Sequence, residues 1–255
     1  MNNLYDWSEV NKLVINLKKT KFMVFTSKRN ISTDGVTLSL NNQLIYRTNT
    51  FKLLGITIDH NLNFQSHIDN IISKLNISLG VFFRIKKFIN QQSSIILYYS
   101  LFYSHLYYGN LIWGHANKTS VYKLYLTQKK IIKIIFSFSN TISSNLFLKN
   151  NILSIYEINN YKTCILIFKI VNKILVSNDE LMNLIFKFSN INNNYKTRTN
   201  KTFMIEPSLS KNKLNDRNIC YFGPKIWNEL PVYLRSITSY NSFKIYLKSF
   251  LVCKS

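Results

Sequence analysis

From Gln65 to Asn90 the apolar residues Ile68, Ile71, Ile72, Leu75, Leu79, Phe82 and Phe83 recur with the helical period, which predicts a long amphipathic helix starting near Asn63 or Ser66. Three more helices are predicted at Gln91–Tyr107, apolar almost all round, at Lys118–Phe138 and at Ile152–Val176, with a last one at Tyr240–Phe250. Ahead of them the period is different. Trp7–Leu17 reads as a short helix capped by Ser8, and Phe22–Phe25 suits a strand. Val36–Leu40 alternates with period two, Asn41-Asn42 makes a turn and Leu44–Tyr46 returns, which is a hairpin pattern. Phe51–Ile58 reads as one further strand interrupted by Gly55. The expected fold class is α+β: a small antiparallel sheet and then a mostly helical chain, divided at about 1–60, 61–150 and 151–255. An Asn-rich linker is expected at 189–201, and a turn around Trp227 after Gly223-Pro224.

Charge adds a partner to this outline. Lys and Arg total 33 against 11 Asp and Glu, a net +22. Such an excess points to a polyanion, either nucleic acid or an anionic membrane. A compositional bias toward Lys, Asn, Ile, Tyr and Phe explains the lysines but not the scarcity of acids. Between Asp69 and Glu157 there is no acidic residue, and tyrosines and phenylalanines are interleaved with the lysines. Cations neutralise phosphates and aromatic rings stack on unpaired bases, although most single rings are core.

Ile95–Gly114 is 20 residues without a formal charge, long enough to span a membrane, but Ser100, Ser104, His105, Asn110 and its tyrosines are poor residues for a hydrocarbon centre. No basic stretch leads into an apolar run at the N-terminus, so a signal peptide is not expected. Cys164, Cys220 and Cys253 have no CxxC spacing and read as buried thiols in a reducing compartment, nucleus or cytoplasm. No metal site is expected, since the four histidines show no ligand spacing either. The carboxylate pairs Asp6 with Glu9 and Asp179 with Glu180 look like charges at helix starts rather than an active site. No Gly-rich phosphate loop, GxSxG or HExxH occurs.

Trp7 to Phe22, Phe51 to Asp59, Leu62 to Ile68, Leu97 to Gly114, Gln128 to Ile131, Tyr195 to Arg198 and Gly223 to Pro231, taken in series, resemble the part of non-LTR retrotransposon reverse transcriptases that lies beyond their catalytic motif, in LINE-like elements of the jockey and CR1 type. Trp7, Asn11-Lys12-Leu13, Asn16 and Lys19-Thr20-Lys21-Phe22 are similar to motif D of the palm. Phe51-Lys52-Leu53-Leu54-Gly55-Ile56-Thr57-Ile58-Asp59 resembles motif E, the primer grip, with Leu53 in place of the commoner aromatic residue. Leu62-Asn63-Phe64 with His67-Ile68 resembles the start of the thumb. Leu97–Leu101, His105–Gly109 and Ile112-Trp113-Gly114 come next in family order, Ser104 standing where the family usually has Pro. Gln128-Lys129-Lys130-Ile131, Tyr195–Arg198 and Gly223–Pro231 complete the series.

The resemblance implies a palm remnant at 1–60, a thumb at 61–150 and a helical C-terminal region at 151–255. It implies Lys19 or Lys21 near a triphosphate, and Phe51, Leu54 and Gly55 at the primer end. Arg84, Lys86, Lys87, Lys129, Lys130 and Lys133 would lie on the backbone of an RNA template paired as RNA–DNA or DNA duplex. The family's catalytic aspartates lie in two motifs, the second a Phe/Tyr-Ala-Asp-Asp turn absent from this sequence. The chain is therefore expected to bind template–primer without polymerising alone, with Mg²⁺ needed only by a full-length enzyme and no cofactor of its own. The missing palm, fingers and endonuclease regions are expected as further partners. Two rival readings stay open: a host RNA-binding protein on a basic helical scaffold, and a small membrane protein built on Ile95–Gly114.

Overall fold

The computed structural model describes residues 2–25, 35–40, 43–136, 146–175, 187–188, 205–206 and 219–254. They are mostly helical with small sheets, an α+β chain in two compact units, Met1–His67 and Ile68–Ser255.

The first unit opens with α1, Asn2–Val10. The helix expected at Trp7–Leu17 is displaced, because the chain turns at its middle. Trp7 O accepts from Asn11 N (3.1 Å) and from Asn11 Nδ2 (2.8 Å), and Lys12 is left-handed at φ 55°. A left-handed residue ends a right-handed helix. Val10, Leu13 and Val14 are consequently exposed rather than a buried stripe. Asp6 and Glu9 are not in the first turn, so they are not N-terminal capping charges.

Strands β1 (Lys21–Phe22), β2 (Leu38–Leu40) and β3 (Gln43–Arg47) form a sheet in the order β1-β3-β2. The β2–β3 pair is antiparallel, as the alternation predicts, with Leu40 and Ile45 buried. The sheet is not wholly antiparallel, however: β1 pairs with β3 in parallel, Lys21 opposite Tyr46. The reason is topological. β2 occupies one edge of β3 antiparallel to it, and β1, which precedes both strands in the chain, takes the other edge in parallel. Asn41-Asn42 lie outside the described residues, and the strand expected to reach Phe25 ends at Phe22.

The interrupted strand is in fact a hairpin. β4 (Thr50–Leu53) pairs with β5 (Ile56–Asp59) across a two-residue turn, with Leu54 at φ 47° and Gly55 at φ 82°. Two consecutive positive φ values match the right-handed twist of the strands. Past β5, the Asp59 carboxylate accepts from Asn61 N (3.1 Å), Asn63 N (3.0 Å) and Phe64 N (2.6 Å). That single side chain holds a loop in which Leu62 and Phe64 are both left-handed.

The second unit is helical. It contains the main part of α2 (Gln65–Ile85), a 3₁₀ turn at Lys86–Phe88, then α3 (Gln91–Tyr98) and α4 (Ser104–Tyr107). Next come α5 (Asn110–Trp113), α6 (Lys118–Phe136), α7 (Leu146–Lys149) and α8 (Ile155–Val171). A short antiparallel pair, β6 (Lys187–Phe188) with β7 (Ile205–Glu206), precedes α9 (Ile219–Asn228), α10 (Val232–Arg235) and α11 (Tyr240–Lys254). α8 is the central element, packed against α5, α6, α9 and α11. Phe168 stacks on Phe243 at 4.3 Å, and Trp227 lies 5.9 Å from the same ring. Trp113 and Trp227 are fully buried, and Trp227 sits within α9 rather than in a turn.

The segment expected as one helix, Gln91–Tyr107, is broken by a π-helical turn at Tyr99–Tyr103. Ser100 Oγ donates to Ile96 O (2.9 Å) and Ser104 Oγ to Ser100 O (2.6 Å), competition of the kind that bends helices. Gly109, at φ 60°, then separates α4 from α5. No helix among the described residues is long and apolar enough to cross a membrane. Phe83 is exposed, not part of the buried face of α2, and Cys253 is an exposed thiol while Cys164 is buried. The Asn-rich stretch 189–201, the Tyr195–Arg198 segment and the pair Asp179 and Glu180 lie outside the described residues, as does the side chain of Cys220.

Candidate nucleic-acid interface

The orientation of α6 is set by one buried amide. Gln128 Nε2 donates to Tyr98 Oη (2.8 Å) and to Leu153 O (2.9 Å), and its Oε1 accepts from Ile155 N (2.8 Å). These bonds tie α6 to α3 and to the first turn of α8. Ser154 caps that turn with Glu157 as a reciprocal pair, Ser154 N donating to Glu157 Oε2 at 2.6 Å. Burial holds the Glu157 carboxyl above its ordinary range, opposed by its backbone hydrogen bonds. The Gln128 face of α6 also buries Val121, Leu124, Ile131, Ile132 and Ile135.

The remaining surface of α6 is therefore fixed outward. At about 100° per residue, Lys118, Tyr122, Tyr125, Lys129 and Lys133 fall within an arc of roughly 80°. They form one stripe, basic at both ends and aromatic near the middle, with Lys118 and Lys133 exposed and Lys129 half-buried. Tyr122 stacks toward Tyr125 (6.2 Å between centroids), and Tyr125 meets Phe147 (5.5 Å) and Tyr156 of α8 (5.6 Å). Tyr122 and Tyr156 are 51% and 42% exposed, so both remain open to solvent beside Tyr125. Burial keeps the Tyr125 and Tyr156 phenols neutral by raising their pKa. Lys129 and Lys133 belong to this stripe, whereas the exposed Lys130 lies roughly 100° around the helix from Lys129 and faces elsewhere.

The other expected residues divide between the units. Arg84, Lys86 and Lys87 sit together at the end of α2, where cations favour a helix C-terminus; Arg84 and Lys87 are exposed and Lys86 is half-buried. In the first unit Lys19 is exposed in a turn, its N–H donating to Asn16 O (3.0 Å), and Lys21 is the exposed first residue of β1. Leu54 and Gly55 form the exposed turn of the β4–β5 hairpin, with Leu54 at 81% exposure, and Phe51 is an exposed residue of β4 opposite Ile58. Phe51 and Leu54 are thus surface, not sheet core. An exposed leucine held left-handed costs about 1–2 kcal/mol.

Other family-like residues are packing. Gly114 is required because a Cβ there would lie 2.5 Å from Asn110 O and 2.5 Å from Asn159 Oδ1. Trp113 Nε1 donates to Tyr108 O at 2.9 Å. Among the described residues no three His, Cys, Asp or Glu side chains converge as metal ligands. Lys118 belongs to the acid-free basic stretch but, like Tyr122 and Tyr156, is not among the residues that the sequence marks individually as binding residues. The i, i+4, i+7 spacing from Lys118 through Tyr125 was the signal for the first two, whereas Tyr156 joins only through the packing of α8 on α6.

One curated relative carries information about kinship. Over 133 residues, half of this chain, the sequence is 30% identical to the RNA-directed DNA polymerase from mobile element jockey of Drosophila melanogaster. The chain is related to a retrotransposon reverse transcriptase. The matched stretch covers 14% of that polymerase, so the chain spans a small part of its relative's length. No family model matches, and no solved structure matches.

Proposed function

We propose that this chain is a nucleic-acid-binding part of a non-LTR, LINE-like reverse transcriptase, holding an RNA template paired with its primer without reading sequence. The observation that carries the reading is the α6 stripe. Lys118, Lys129 and Lys133 lie along one outward face where they can neutralise phosphates, and Tyr122 and Tyr156 offer rings to unpaired bases. In this reading residues 61–150 act as the thumb and 151–255 as the helical C-terminal region. Residues 1–60 contribute the motif D-like and primer-grip-like segments, with Lys19 or Lys21 toward a triphosphate and Phe51, Leu54 and Gly55 toward the primer end. Arg84, Lys86, Lys87 and Lys130 add charge around the same duplex. The similarity to the jockey polymerase favours this over a host RNA-binding protein. The division of Ile95–Gly114 among short helices favours it over a membrane protein.

Nucleotide addition by this chain alone is not expected, because its sequence holds no paired-aspartate turn to carry the two metal ions of phosphoryl transfer. The test is the triple variant K118Q/K129Q/K133Q. Its melting temperature should stay near wild type, since exposed charges contribute little to stability. Its affinity for an RNA–DNA hybrid should fall, with the log–log salt slope reduced by about 2–3. Equal binding by a folded variant refutes the role of this stripe. A separate Y122A/Y156A variant should lose affinity for single-stranded RNA more than for duplex.

A further inference from the structure

A second cluster of phenols and ammonium groups lies on the other side of α8. The π-helical turn aligns Tyr99, Tyr103 and Tyr107 in a ladder, at 5.2 Å and then 5.4 Å between centroids. At its end Lys162 Nζ sits 3.7 Å from the centre of the Tyr107 ring. Two turns further along α8, Lys169 Nζ lies 5.2 Å from the centre of the Tyr240 ring, and Lys244 Nζ of α11 is also at 5.2 Å from it. The buried Tyr161 is near enough to both Tyr107 and Tyr240 to interact with their phenols.

Three features distinguish this cluster from ordinary lysine packing. Tyr240 has two ammonium groups on one ring, an arrangement whose repulsion an anion would relieve. None of the three lysines has an ion-pair partner among the described residues. All three are half-buried, so their charge is screened less than that of a free surface lysine. The electrostatics agree. Desolvation, then repulsion from Lys169, lowers the Lys162 pKa. Burial, then the neighbouring phenols of Tyr107 and Tyr240, pushes Tyr161 up to about 12, so its hydroxyl remains a neutral donor. Ammonium groups with neutral phenol donors are the set that binds phosphate oxygens and reads no base edge.

We infer that Lys162, Lys169 and Lys244, with the hydroxyls of Tyr107, Tyr161 and Tyr240, form a second binding site for the phosphodiester backbone of nucleic acid. It is separate from the α6 stripe: Lys162 lies roughly 120° around α8 from Tyr156. The inference rests on the proposed nucleic-acid-binding role and extends it to a second strand segment or a second molecule.

The experiment compares four full-length chains: wild type, the stripe variant K118Q/K129Q/K133Q, the cluster variant K162Q/K169Q/K244Q, and the smaller K169Q/K244Q. Each is titrated with a labelled oligouridylate and an RNA–DNA hybrid across a salt series, and each is melted with and without inorganic pyrophosphate. The cluster variant should lose about 2–3 from the salt slope, and K169Q/K244Q about 2, while the stripe variant keeps the cluster's contribution. If the triple change prevents folding, the double variant decides. A folded cluster variant with wild-type affinity and slope overturns the inference even if the stripe variant is weakened. Loss in the cluster variant with none in the stripe variant supports the inference and removes the stripe from the proposed function. Stabilisation of wild type by pyrophosphate that vanishes in the cluster variant, with polynucleotide binding unchanged, overturns it in favour of a site for free phosphate compounds.

Discussion

Replacing Gln128 by Met keeps the length of the side chain and removes all of its hydrogen bonding. Three bonds are lost at one buried position: the donors to Tyr98 Oη and Leu153 O, and the acceptor for Ile155 N. At about 1 kcal/mol net for each bond, the variant should lose about 3 kcal/mol. In a unit of this size that corresponds to a fall in melting temperature of about 6–12 °C. Tyr98→Phe removes one of the three bonds and should cost about 1 kcal/mol. The double variant should cost less than the sum, because the two changes delete the same bond. Differential scanning calorimetry on the four proteins reads this directly. A Q128M protein melting within about 2 °C of wild type would refute the view that this amide fixes α6 against α8. Because the same amide sets Tyr125 against Tyr156, Q128M should also weaken single-stranded RNA binding at temperatures where it remains folded.

His115 packs against Phe222, ring centroids 3.3 Å apart, and burial lowers its pKa from 6.5 to about 4. The unfolded chain takes up its proton near pH 6.5 while the folded chain resists until about 4. The stabilisation is therefore complete above pH 6.5 and is lost between 6.5 and 4, up to about 3 kcal/mol, and His115→Leu should flatten that acid limb in urea melts. Asp59→Ala strips the acceptor from three backbone N–H groups and should cost about 2–3 kcal/mol locally, seen as faster hydrogen exchange at Asn61, Asn63 and Phe64; unchanged protection would contradict it. Leu54→Asn suits a left-handed turn position and should stabilise the hairpin by about 1 kcal/mol while weakening primer-end binding; equal or tighter binding would remove Leu54 from the interface.

Helix positions were readable where a wide apolar stripe faces a core. The buried face of α6 is the one its isoleucines mark, and α8 lies within its expected span with a capping box at Ser154 and Glu157. The pattern misled where chemistry other than burial decides. Val10, Leu13 and Val14 have helical spacing, but the left-handed Lys12 ends the helix first. The apolar residues of Gln91–Tyr107 run almost all round the helix, so periodicity could not register the π-helical turn at Tyr99–Tyr103, where Ser100 and Ser104 bond back to the main chain. The parallel β1–β3 pair sets Lys21 opposite Tyr46, residues far apart in sequence, and local sequence does not encode that pairing. At the candidate interface, Lys129 and Lys133 were visible from charge alone. Gln128 was visible only as part of a motif, and its meaning comes from partners 25 to 30 residues away in sequence. The Lys162 cluster draws on α4, α8 and α11 together and has no signature in any one of them.

The most direct test of nucleic-acid binding is the salt dependence of the wild-type chain on an RNA–DNA hybrid, measured with two unrelated sequences. With about 5 phosphate contacts the log–log slope should be about −4 to −5, and the two sequences should bind alike. A flat salt dependence, no binding at low salt, or strong preference for one sequence would contradict the account.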